Sequence, residues 1–357
     1  MRMKKLMILA VAAIALVACS RTFEHHATEG AAIGFNTWAE HMTKARAQGA
    51  SAFTNGDSFV VEGFKTVSSN DVNVFDNVTV STTDGSTWTY TNTRYWDSNA
   101  SSYTFFAVSS PTTTIEFEGD GTINATAVTF SGKNNDILLA NSVDVAPANF
   151  KSDVPVAFTF KHLGALVDLK VKKTTALDDA TVEITAISIE GVDDEATVAV
   201  SGYTSNVPTV AWGSLANEDS STYTNASGVT SVTLPNDVSS ASADALITSL
   251  IVIPQSLSAA TKLVKISYTI TDNANNVNTF NNKTVALNAF DLTDYPTDDN
   301  AGTAGNQYNE GTQMASSWVA GTHYIYTLTI DANAINFTGT ITDWTDPATS
   351  GYYYLVN

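Results

Sequence analysis

Ten short runs of β-branched and aromatic residues, each closed off by polar turn residues, constrain what this chain can fold into more than any other feature. They span residues 58–64, 72–80, 102–108, 154–160, 166–171, 182–189, 246–253, 263–270, 324–330 and 335–341. Alternation of period two within such runs predicts strands with one buried face. Between them lie turn clusters such as Thr83-Asp84-Gly85-Ser86, Gly119-Asp120-Gly121 and the stretch from Asp272 to Asn276. Only 39–47 is a passable helix. Many short strands without intervening helices predict an all-β fold of sandwich type and exclude a parallel α/β sheet.

A chain of 357 residues is long enough for two such units. The apolar periodicity breaks near 146–153, where Pro147, Asn149, Lys151, Ser152 and Asp153 cluster. This places an N-terminal β-sandwich at 48–147 and a larger C-terminal one at 154–357. The polar stretches 217–227 and 291–313 read as long loops, and no repeat of fixed period is present.

The first residues read as an export signal. Arg2, Lys4 and Lys5 precede an apolar run over 6–17, too short for a bilayer-spanning helix of about 20 residues. The run ends Leu16-Val17-Ala18-Cys19, a bacterial lipobox, so 1–18 is expected to be a lipoprotein signal peptide and Cys19 the lipidated residue. Covalent diacylglycerol and an N-acyl chain on Cys19 are the only non-protein groups expected; no cofactor is. Cys19 is also the single cysteine, which excludes an intrachain disulfide.

Charge and motif content narrow the function. With 36 Asp and Glu against 17 Lys and Arg, the chain carries a formal charge of −19 and is unsuited to nucleic acid. Neither His25-His26 nor His41, His162 or His323 falls in a metal-binding motif, and no metal site is expected. Gly-rich phosphate loops and nucleophile elbows are absent, so no catalytic residue is assigned. Glu116, Glu118 and Asp120 alternate and would share the exposed face of a short strand. Asp298, Asp299, Asn300, Asn306, Asn309 and Glu310 carry oxygen ligands without calcium-loop spacing. Trp88, Tyr90, Tyr95 and Trp96 could form a glycan platform, but alternation of Trp88 and Tyr90 favours core packing.

Several segments together resemble the fimbrillin family of Bacteroidetes. They are the lipobox, Ala31-Ala32-Ile33-Gly34-Phe35, the basic site around Lys44-Ala45-Arg46, Phe59-Val60-Val61-Glu62-Gly63-Phe64, and Trp88-Thr89-Tyr90 through Tyr95-Trp96. Further along, Tyr103 to Val108, Asp136-Ile137-Leu138-Leu139-Ala140, Val156 to Val167, Trp318 to Tyr326 and Ile341-Thr342-Asp343-Trp344 continue the likeness in order. The resemblance implies two tandem transthyretin-like Greek-key β-sandwiches after a lipoprotein signal peptide. It further implies export as an outer-membrane lipoprotein and assembly into cell-surface fimbriae that support adhesion. In that scheme an arginine-specific protease removes an N-terminal strand and a strand of another subunit fills the groove. Residues 19–47 would then be a lipidated tether with the removable strand, carried by Ile33, Phe35 and Trp38. Arg46 is the expected scissile residue, with Lys44 as a second candidate because the family's Thr-Arg pair is Ala45-Arg46 here.

The apolar tail Gly351-Tyr352-Tyr353-Tyr354-Leu355-Val356-Asn357 is a candidate donor strand, with Tyr352, Tyr354 and Val356 on one face; equally, it could complete its own domain. Expected partners are copies of the chain, other fimbrial subunits, the outer membrane through the lipid, and host or bacterial surface ligands. The alternative is a monomeric, lipid-anchored glycan- or host-binding module; a hydrolase is the remoter one and would need convergent carboxylates.

Overall fold

The computed structural model describes residues 30–39, 53–130, 136–205, 207–216, 222–224, 232–234, 247–259, 261–289, 291–294, 317–331 and 335–343. The signal and lipidation residues, Cys19 among them, therefore lie outside the described residues, as do Lys44 and Arg46, the oxygen-rich stretch 298–310 and the tail with Tyr352, Tyr354 and Val356. Among the described residues, strands account for nearly all regular structure. In chain order these are β1 (Phe35–Ala39), β2 (Ser58–Val67), β3 (Asn70–Thr82), β4 (Trp88–Thr89), β5 (Ser102–Ser109), β6 (Ile123–Thr129) and β7 (Leu138–Val145). They continue with β8 (Val156–His162), β9 (Ala165–Lys173), β10 (Thr181–Glu190), β11 (Glu195–Thr204), β12 (Val207–Ala216), β13 (Thr222–Thr224) and β14 (Val232–Thr233). The last are β15 (Ile247–Val252), β16 (Leu263–Thr271), β17 (Val277–Ala286), β18 (Asp291–Asp294), β19 (Thr322–Ile330) and β20 (Ile335–Asp343).

A seven-stranded sheet in the order β1-β8-β7-β5-β2-β3-β4 wraps around an aromatic core of Phe35, Phe59, Phe75, Tyr103, Phe105, Phe158 and Phe160. Its two ends approach each other. Thr37 on β1 accepts a hydrogen bond from the Trp88 indole on β4 at 3.0 Å, and Ala32 forms a bridge to Tyr95. The opposite faces of β2, β5 and β7 pack on a second core that includes Phe106, Val108, Phe117, Phe130, Val198, Val200 and Ile251. A three-stranded sheet, β12-β11-β6, contributes to this core.

Two further sheets face each other across a third core. One has the order β13-β10-β16-β17 and the other β15-β9-β19-β20-β18. Strict alternation puts Val167, Leu169 and Val171 of β9, Val264, Ile266 and Tyr268 of β16, and Tyr324, Tyr326 and Leu328 of β19 inside. β9 and β19 run parallel, so the connections cross over and are not simple hairpins.

The hydrogen-bond ladders cross the compositional break at 147–153. β8, beyond the break, is zipped between β7 and β1, and β6, before it, pairs with β11. Ala39, the first residue of the passable helix, ends β1; the rest of that segment lies outside the described residues. Residues 114–118 form no ladder, in contrast to the expected short strand. Glu116, Glu118 and Asp120 are exposed there, while Ile115 and Phe117 point inward. That segment is held by the Asn77 side chain, which donates to the Phe117 carbonyl at 2.8 Å and accepts from the Phe117 N–H at 2.7 Å.

Candidate functional site

Residues 30–39, the last five of which form β1 at the end of a sheet, are separated in sequence from the rest of that sheet and plug its aromatic core. β1 lies parallel to β8, with Phe35 opposite Val156 and Ala39 opposite Phe160. The Val156 N–H donates to the Gly34 carbonyl at 2.8 Å. Ahead of β1 the segment 90–96 clamps residues 31–33. The Ile33 N–H donates to Arg94 O at 2.9 Å, and the Trp96 N–H donates to Ala31 O at 2.9 Å. The Tyr90 hydroxyl donates to Ile33 O at 2.7 Å while accepting from the Arg94 N–H at 3.2 Å. Burial holds the Tyr90 hydroxyl above its ordinary pKa, so it stays a donor throughout the physiological range.

Apolar contacts dominate the plug. Ile33 and Phe35 are 2% and 6% exposed. The Phe35 ring stacks on Phe158 at 5.8 Å and meets Phe59, Phe75, Tyr90 and Phe105 edge-on at 5.3–6.3 Å. Trp38 pairs through its backbone with Thr159. Without the strand, β8 would present unpaired backbone groups beside an open aromatic cavity, a surface suited to another extended segment. One position sets a steric condition on any occupant: a Cβ on Gly30 would sit 1.9 Å from the Trp96 carbonyl oxygen.

The other singled-out residues take structural places. Trp88 and Trp96 are buried among Phe53, Phe59, Tyr103 and Phe150, which leaves Tyr95 as the exposed aromatic of that cluster. His162 is buried, with Nδ1 2.9 Å from Asp136. His323 pairs with Asp168 at 3.0 Å across β19 and β9. Among the described residues no group of three or more His, Cys, Asp or Glu could hold a metal, and no helix is long and apolar enough to cross a membrane.

Two buried polar groups went unnoticed in the sequence. Glu62 accepts the Gly121 N–H at 2.9 Å under a glycine turn, and burial, with Asp76 and Asp120 nearby, raises its pKa. Lys262, Asp193 and Gln255 form a buried knot, with the Lys262 Nζ 2.6 Å from both partners. A carboxylate inside the apolar run Val60-Val61-Glu62-Gly63-Phe64 was the available signal for the first; the second joins residues 69 apart and has no local signature.

Residues 43–344 match the model of the fimbrillin-like family. The chain belongs to that family. This fimbrillin-like chain also resembles a fimbrial protein from Bacteroides vulgatus, with a TM-score of 0.58, 19% identity, and coverage of 88% of this chain and 99% of that one. At such identity the likeness is one of fold. A fimbrilin from Porphyromonas gingivalis aligns with a TM-score of 0.43 and 12% identity over 89% and 98% of the two chains. The tip fimbrial protein of the same organism, truncated at its C-terminus, aligns at 0.39 and 10% over 88% and 99%. No curated protein matches the chain.

Proposed function

We propose that the chain is a structural subunit of cell-surface fimbriae that supports adhesion and assembles by strand exchange. The observation that carries this reading is the plug: Ile33, with the short parallel strand β1 that begins at Phe35, fills an aromatic groove from outside the rest of its sheet. Membership of the fimbrillin-like family supports the fimbrial part. In this reading Cys19 carries the lipid that brings the chain to the outer membrane, and cleavage after Arg46, or after Lys44, frees the strand. A strand from another subunit then takes its place, with Tyr352, Tyr354 and Val356 of the tail as the candidate donor face. Donation of this kind is head-to-tail and does not close, so it yields filaments.

The test is digestion of the full chain with an arginine-specific protease, followed by intact mass and electron microscopy. Cleavage after Arg46 followed by fibres or ladders, both lost in Arg46→Ala, is the expected result. A cleaved chain that stays a folded monomer overturns it.

A further inference from the structure

Beside the strand clamp lies a cleft that the assembly reading does not use. β3 and β4 pair only at Ser81–Thr89 and Thr82–Trp88 and then splay apart. The opening is about 530 Å³ and is lined by Asp76, Ser81, Thr89, Thr91, Asn92 and Arg94 among others. This is within the range of roughly 300–1,000 Å³ typical of small-molecule sites. We infer that this cleft binds a small neutral saccharide.

The chemistry of the walls selects the ligand class. Ser81 and Thr91 offer hydroxyls that both donate and accept, Asn92 an amide, Asp76 an exposed acceptor and Arg94 a donor, a set that complements a ligand bearing several hydroxyls. Arg94 is positioned before any ligand arrives. Its Nε donates to Val74 O at 3.0 Å, its Nη1 donates to Asn92 O, and its guanidinium lies 5.9 Å from the centre of the Phe75 ring. An apolar ligand finds no platform, because the Tyr90 ring is packed against Phe35 and Phe75. An anion meets Asp76 and a chain of formal charge −19.

A peptide strand is also a poor occupant. Arg94 crosses to Val74 O and closes one end of the β3 edge. Asn77, at φ +47, breaks the edge with a register shift, leaving too few consecutive residues for a ladder.

The inference goes beyond the assembly reading and stands without it. Its test is titration of the isotopically labelled full chain with maltose, lactose and methyl mannopyranoside at millimolar concentrations, with glucuronate as the anionic comparison, followed by NMR. Saturable shifts confined to residues 76–94 with at least one neutral sugar are expected, weaker by about tenfold in Ser81→Val/Thr91→Val, where methyls replace the hydroxyls of two exposed side chains. The double variant should keep the parent melting temperature. No saturable shift with any neutral sugar, saturable shifts only outside the cleft, tighter binding of glucuronate, or unaltered sugar affinity in the double variant overturns the proposal.

Discussion

Glu62 shows how one residue ties stability to pH in this fold. Buried and bonded to the Gly121 N–H, it holds its proton to a higher pH folded than unfolded, where its ordinary value is 4.5. The folded state therefore binds more protons within and just above the usual carboxylate range, and stability falls as pH rises through that window. Glu62→Gln keeps an acceptor for Gly121 and should flatten this fall. Melting temperatures of variant and parent should converge near pH 4 and separate in the variant's favour toward pH 7, and unchanged parallel profiles would refute the assignment. Lys262→Met is expected to act in the opposite sense, because it strands Asp193 in the interior. A loss of about 3–5 kcal/mol in denaturant unfolding is expected, much of it recovered when Asp193 is also made apolar. Thr37→Val removes the acceptor of the Trp88 indole and should cost about 1 kcal/mol, read as faster hydrogen exchange along β1.

At the scale of the element, β1 is held by aromatic packing on one face and by its ladder with β8, and the residues that lead into it, 31–33, are clamped by 90–96. Phe35→Ala should cost about 3–5 kcal/mol if the strand opens only with the whole fold. As a separate plug, β1 should instead gain local opening while β9 and β19 keep their protection, which hydrogen exchange resolves by segment. Gly30→Ala should act alike, since its methyl has no room beside Trp96. The same contrast explains what was legible beforehand. All ten sequence runs correspond to strands, because β-branched alternation and burial coincide there. β17 was missed because the edge strand reads Val277-Asn278-Thr279-Phe280-Asn281-Asn282 and is exposed along most of its length. β6 and β12 dilute their apolar positions with Ala, Thr and Gly. The residues of the plug were legible only through the family likeness. That it pairs parallel with β8 and is clamped by 90–96 is tertiary information, which no local pattern encodes.

For the whole molecule, the cores share walls. The seven-stranded sheet carries the aromatic core on one face and, on the other, a core completed by β6, β11, β12 and β15, so loosening the plug leaves the second face covered. An opened subunit should then stay folded and receptive, which filament growth by strand exchange requires. The most direct measurement follows the N-terminal fragment after arginine-specific cleavage, by size-exclusion chromatography with mass spectrometry of each fraction. The account predicts that the fragment holding Ile33 and Phe35 leaves in step with the appearance of larger assemblies. A fragment that stays bound to a monomer, or one that leaves while the rest remains monomeric, would contradict it.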